Sequence, residues 1–269
     1  MRPLANQRFT LPDALRERPR QQDDSSRSLR GGAKACLPGF VAAIALFATA
    51  SIGLGADFDV GRVTLRVTDD GWTSVGASGD EMPFSGSASG AIEVAKRSLL
   101  LVDGANRFRA ALVVSASRGV PAMKLQWPDD CRSQDDVYAF DSRQKSADAR
   151  DCLRVTGLAS VERSLATDAP AVAAALANRR AVVPSGGYVV LAEVALGNGT
   201  FVSVEALIAA EVELPGTSIS QHDLPAGINA AVAGWALRLA QAARSSIHSV
   251  SGLLLVPAVT AMIRSPQDR

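Results

Sequence analysis

The feature that most constrains this chain is a run of 21 uncharged residues, 36–56, reading CLPGFVAAIALFATASIGLGA. It lies between a basic segment and acidic Asp57 and Asp59. A helix rises about 1.5 Å per residue, so such a run is long enough for a hydrocarbon core of roughly 30 Å. Its most apolar part, 40–47, is shorter and Ala-rich, the profile of a signal-peptide core more than of a lasting anchor. Arg30 and Lys34 supply the basic flank, and Ala48-Thr49-Ala50 is an A-x-A cleavage site. The leading expectation is an exported domain released by cleavage. The runner-up is a retained single-pass transmembrane anchor at 36–56. Basic residues before the run and acidic ones after it place residues 57–269 outside the cytoplasm, periplasmic or anchored to the inner membrane. A buried core helix is the weakest reading, because a basic tail precedes the run and a strand-rich region follows it.

Residues 1–35 read as a basic polar leader, long for a signal n-region. A start at Leu29 would leave a compact one, so the expectation for 1–35 is a disordered or untranslated segment. Lipoprotein and twin-arginine export fail on residue order. Cys36 precedes the apolar core instead of following it, and no adjacent Arg pair stands before it.

The leader also distorts the charge. The chain carries 28 basic and 27 acidic residues, for a net charge of +1. Of these, 8 basic and 4 acidic lie in residues 1–50, which leaves 20 and 23, about −3, for the remainder. A weakly acidic domain with scattered Arg argues against nucleic acid as a partner. Removing the leader removes Cys36 and leaves Cys131 and Cys152. In an oxidising compartment those two are expected to form one disulfide. Zinc is disfavoured by their wide spacing and by the lack of a nearby His.

Downstream of the leader, strands come first and helices later. Residues 60–67 alternate apolar and polar, as a half-buried strand does. Asp69-Asp70-Gly71 is read as its hairpin turn, with 72–75 as the returning arm. Residues 76–90, rich in Gly and Ser, read as a loop. A second hairpin has arms near 91–102 and 107–117, with Phe108, Ala110, Leu112 and Val114 on one face. Short strands are expected at 122–127, 137–140 and 153–158. A helical stretch over 161–179 is expected, with Thr167 and Asp168 as internal caps before Pro170. The third hairpin joins 188–196 to 201–213 through Gly197-Asn198-Gly199-Thr200, a favoured turn sequence. It places Val202, Val204, Ala206 and Ile208 on one face, Ser203 and Glu205 on the other. An amphipathic helix over 226–249, capped by Asp223, is expected to pack on the sheet, with 252–258 as a closing strand. The fold class is therefore α+β: an antiparallel sheet of about eight strands with two packing helices, 161–179 and 226–249, in one exported domain over 57–269.

Patterns that carry chemistry are scarce. H-E-x-x-H and the phosphate-binding loop are absent, and no G-x-G-x-x-G follows a strand to open a helix. Gly86-Ser87-Ala88-Ser89-Gly90 resembles a nucleophile elbow but holds Ala88 at its centre. Asp129, Asp130, Asp135, Asp136, Asp141, Asp148 and Asp151 cluster without the D-x-D-x-D-G spacing of a calcium loop. No catalytic, cofactor-binding or metal residue is assigned from pattern. The local acid–imidazole pair, His222 beside Asp223, reads first as a loop leading to a helix cap. The functional expectation is a noncatalytic cell-envelope protein, a binding or structural module whose partner is another envelope protein or component. Its alternatives are an exported hydrolase with a site hidden from sequence, possible at His222 and Asp223, and an assembly subunit held in the membrane by residues 36–56.

Overall fold

The computed structural model describes residues 55–84, 90–119, 124–127, 148–212, 214 and 229–259, and the backbone of 138–142. These residues form ten strands and three helices. The strands are β1 (Asp57–Val60), β2 (Val63–Val67), β3 (Thr73–Phe84), β4 (Gly90–Val102), β5 (Phe108–Ser117), β6 (Tyr138–Ser142), β7 (Ala149–Leu158), β8 (Gly187–Leu196), β9 (Phe201–Ala209) and β10 (Leu253–Val256). The helices are α1 (Val161–Asp168), α2 (Pro170–Arg179) and α3 (Ala230–His248). The class is α+β with mostly antiparallel pairing, as expected, but the strands divide between two sheets. Seven build a large antiparallel sheet in the order β3-β4-β5-β9-β8-β7-β6, and three build a small sheet in the order β1-β2-β10. Strand β10 runs parallel to β2, with Leu254 opposite Leu65.

The β4–β5 and β8–β9 hairpins form where the sequence places them. Gly199 supplies the left-handed residue of the second turn at φ +84°, and the Asn198 carboxamide oxygen accepts from the Thr200 N–H at 3.0 Å. The first expected hairpin is different. Strand β2 turns back on β1 through Gly61, at φ +57°, and not on 72–75. Asp69-Asp70-Gly71 instead carries the chain from the small sheet into the large one. There the buried Asp69 carboxylate accepts from the Val259 N–H at 2.6 Å. The expected loop at 76–90 is strand up to Phe84, because β3 needs only backbone pairing with β4 to form an edge.

The helical stretch 161–179 is two helices. Ser160 caps α1, accepting from the Arg163 N–H. Thr167 turns its hydroxyl back to the Arg163 carbonyl, and α2 restarts at Pro170 without a side-chain cap. Pro170 has no N–H to continue the α1 ladder, so it fits the first turn of a new helix. Helix α3 begins at Asn229, whose side chain accepts from the Ala231 N–H at 2.8 Å. The expected cap Asp223 lies outside the described residues.

Both faces of the large sheet bury apolar side chains. Register aligns Leu99, Leu112, Ala206, Val190 and Val155 in one row, all fully buried. The small sheet and α3 cover this face. Arg97, on the same face of β4 as Leu99, lies 5.8 Å over the Phe58 ring of β1. Val232, Trp235, Leu239 and Ala243 give α3 its buried stripe. Arg244 clamps Asp151 of β7 side-on, with Nε 2.9 Å from both carboxylate oxygens. Helices α1 and α2 lie on the opposite face. A Cβ built on Gly187 would stand 2.7 Å from the Val161 side chain, and one on Gly76 would stand 2.9 Å from Ala171.

A candidate ligand strip on the second sheet face

The face that carries α1 and α2 is apolar at both ends and polar between them. At one end Leu100, Ala111, Leu207 and Ala209 are buried beside α1 and α2. At the other, Ile92, Val94, Leu125, Trp127, Ala195 and Phe201 form a separate apolar cluster. Trp127 stacks on Phe201 there with ring centroids 5.8 Å apart, and its indole N–H donates to the Leu196 carbonyl at 3.0 Å.

Two cross-strand rows fill the middle. One reads Ser98, Val113, Glu205, Leu191, Arg154 from β4 to β7. The next reads Lys96, Ser115, Ser203, Glu193, Cys152. Strand side chains alternate, so residues paired in one row share a face. Lys96, Ser115, Ser203, Glu205, Glu193 and Arg154 are all half-buried. Arg150, one step further along β7, pairs diagonally with Glu193 at 3.2 Å, with side chains 8% and 12% exposed.

Glu205 is the most perturbed group among the described residues. Its carboxyl is pushed up to about 7, chiefly by burial; repulsion from Asp168 at the end of α1 adds to this, Lys96 opposes, and Glu193 adds a smaller repulsion. A carboxyl poised near neutrality can donate or accept a proton. Glu193, by contrast, has an arginine partner. The two are diagonal neighbours on β8 and β9, so the strip holds two carboxyls in different environments.

Of the residues singled out in the sequence, Cys152 lies at the end of the Lys96 row, buried and held in a disulfide. Cys131, His222 and Asp223 lie outside the described residues, as do 36–56. Among the described residues no group of three His, Cys, Asp or Glu could hold a metal, and no helix is long and apolar enough to cross a membrane. Of the clustered aspartates, Asp148 pairs with Lys124 and Asp151 with Arg244. The strip itself escaped the sequence reading, although Ser203 and Glu205 were placed on one face of their strand. The missing fact was that this face is covered at both ends. No known protein family, curated protein or solved structure shows detectable similarity to this chain.

Proposed function

We propose that residues 57–269 form an exported, noncatalytic binding module of the cell envelope, with the strip on the second sheet face as its ligand site. One observation carries the reading: a half-buried band of charged and hydroxyl side chains crosses five adjacent strands, β4 to β7, between two apolar zones. Desolvating such groups opposes folding, and apolar residues of similar size would pack there without that penalty. A ligand that matches them accounts for their presence. Thermal-shift titration of the full chain against envelope components tests this, with Lys96→Met and Ser203→Ala as strip variants. A component that raises Tm in the native chain and not in the variants identifies the site. Equal shifts in all chains would place binding elsewhere.

Export rests on the leader, with the envelope as the expected location and 36–56 as membrane anchor if uncleaved. N-terminal sequencing of the exported protein decides between these. For the disulfide of Cys152 the proposed partner is Cys131, closing a loop of about 20 residues worth roughly 3 kcal/mol. Peptide mapping without reduction should recover the two residues in one linked fragment; two alkylated thiols would refute the pair.

The two unlike carboxyls favour a second reading, an exported hydrolase with Glu205 as acid and Glu193 as its charged partner. Hydrolysis of an envelope polymer that is lost in Glu205→Gln would establish it. His222 and Asp223 have no support from the described residues.

A further inference from the structure

Arginines in this fold use one guanidinium edge repeatedly. Arg66 presents Nε and Nη2 to the two carboxylate oxygens of Asp57, each at 2.7 Å. Arg244 presents the same edge to Asp151, with Nε at 2.9 Å and Nη2 at 2.8 Å. Arg107 turns the same edge to one oxygen, Asp103 Oδ2, with Nε at 2.8 Å and Nη2 at 2.7 Å. Arg154 differs from these three. Its Nε and Nη2 are both buried, and neither has a hydrogen-bond partner.

Among the described residues, its neighbours supply no acceptor. Arg154 stands opposite Leu191 on β8 and Ala139 on β6. The Glu193 carboxylate is engaged by Arg150. Glu205 belongs to the same row but sits two strands away, beyond Leu191. A buried cationic fork without an acceptor is costly, because its lost hydration is not replaced. The cost is removed when two oxygens of one anionic group meet the Nε–Nη2 edge, the geometry Arg66 and Arg244 display.

Building on the strip as a ligand site, we propose that Arg154 is its anchor, receiving an oxyanion of the ligand, carboxylate or phosphoryl, side-on at Nε and Nη2. The neutral and hydroxyl-bearing neighbours Leu191, Ser203 and Ser115 then face the rest of the ligand. This assigns the ligand an acidic group, which a merely polar strip would not require.

The Arg Nε–H resonances of the 15N-labelled full chain test this directly, since a buried Nε–H exchanges slowly enough to be seen. Sodium phosphate and sodium acetate are titrated separately, each against sodium chloride at matched ionic strength. The Arg154 signal, assigned by its absence in Arg154→Lys, should move saturably in at least one arm, while those of Arg66 and Arg244 stay with the chloride control. Phosphate alone marks a phosphoryl group; acetate alone marks a carboxylate. In Arg154→Lys, which keeps the charge and loses the fork, the remaining strip signals should report at least tenfold weaker binding. An Arg154 signal that follows chloride in both arms overturns the proposal, as does unchanged affinity in Arg154→Lys. If that variant misfolds, a native titration in which no Arg Nε–H signal departs from the chloride control still overturns the proposal. A component that binds through Lys96 and Ser203 with Arg154 silent would remove this inference and leave the proposed function standing.

Discussion

At the scale of single residues, Glu205 gives the strip a measurable signature. Its folded carboxyl titrates near 7 against a reference of 4.5. Between those values the folded state binds more protons than the unfolded one. Stability is therefore highest below about pH 4.5, falls as pH rises through the window, and levels off above about 7. The loss is on the order of 3 kcal/mol, since one unit is worth about 1.4 kcal/mol. Glu205→Gln should abolish this component, so the stability difference between variant and native chain should grow across the window in the variant's favour. Urea midpoints at pH 4.5, 6 and 8 read it, and parallel profiles would refute the assignment. The groups facing Glu205 are Asp168, Lys96 and Glu193, so Asp168→Asn should shift the titration down and Lys96→Met up. The Arg244–Asp151 clamp is a different case. Its side chains are 10% and 18% exposed, and Asp151→Ala leaves a buried guanidinium behind. The expected cost is about 3 kcal/mol in chemical denaturation, far above the value of an exposed pair such as Arg66–Asp57.

At the scale of elements, the hairpins were legible because turn chemistry and alternation agree there. Asn198-Gly199 and the alternation from Val202 to Ile208 both specify β8–β9. Where one signal stands alone the reading failed. Asp69-Asp70-Gly71 has turn composition, but composition does not say whether the next strand returns or joins another sheet. Strand β3 has almost no apolar alternation, because it is an edge whose pairing is made by backbone. Gly76 shows what that Gly-rich stretch does. It follows a bulge in β3, and its missing Cβ lets α2 lie close, with Ala171 at 2.9 Å from the built position. Gly76→Ala should cost about 1 to 3 kcal/mol by overpacking. Ala171→Gly in the same chain should recover part of that loss. A double-mutant cycle should give a coupling of about 0.5 kcal/mol or more, and zero coupling would mean the helix accommodates the methyl by moving.

At the scale of the whole molecule, the small sheet is what joins the beginning of the described chain to its end. The β1–β2 hairpin is local, but β10 reaches β2 from some 190 positions downstream, a parallel pairing that short-range pattern cannot foresee. The sequence identified 252–258 as a closing strand without showing which sheet it closes. Three contacts hold it: Leu254, fully buried opposite Leu65; the Trp235 indole, donating to the Pro257 carbonyl at 3.2 Å and to the Ala258 carbonyl at 3.0 Å; and the Val259 N–H to Asp69. Trp235 and Leu254 belong to the same apolar cluster as Leu112 and Ala206 of the large sheet. The small sheet is therefore part of the main core and not an appendage. Leu254→Ala should lower stability by about 2 to 4 kcal/mol. Because the core is continuous, the loss should be felt by strands that Leu254 does not pair with. Native-state hydrogen exchange of the central β5 and β9 amides should accelerate by the free energy that denaturation reports, as global opening requires. If only β1, β2 and β10 lose protection while β5 and β9 keep theirs, the small sheet opens on its own. The chain would then have two cooperative units where the packing specifies one.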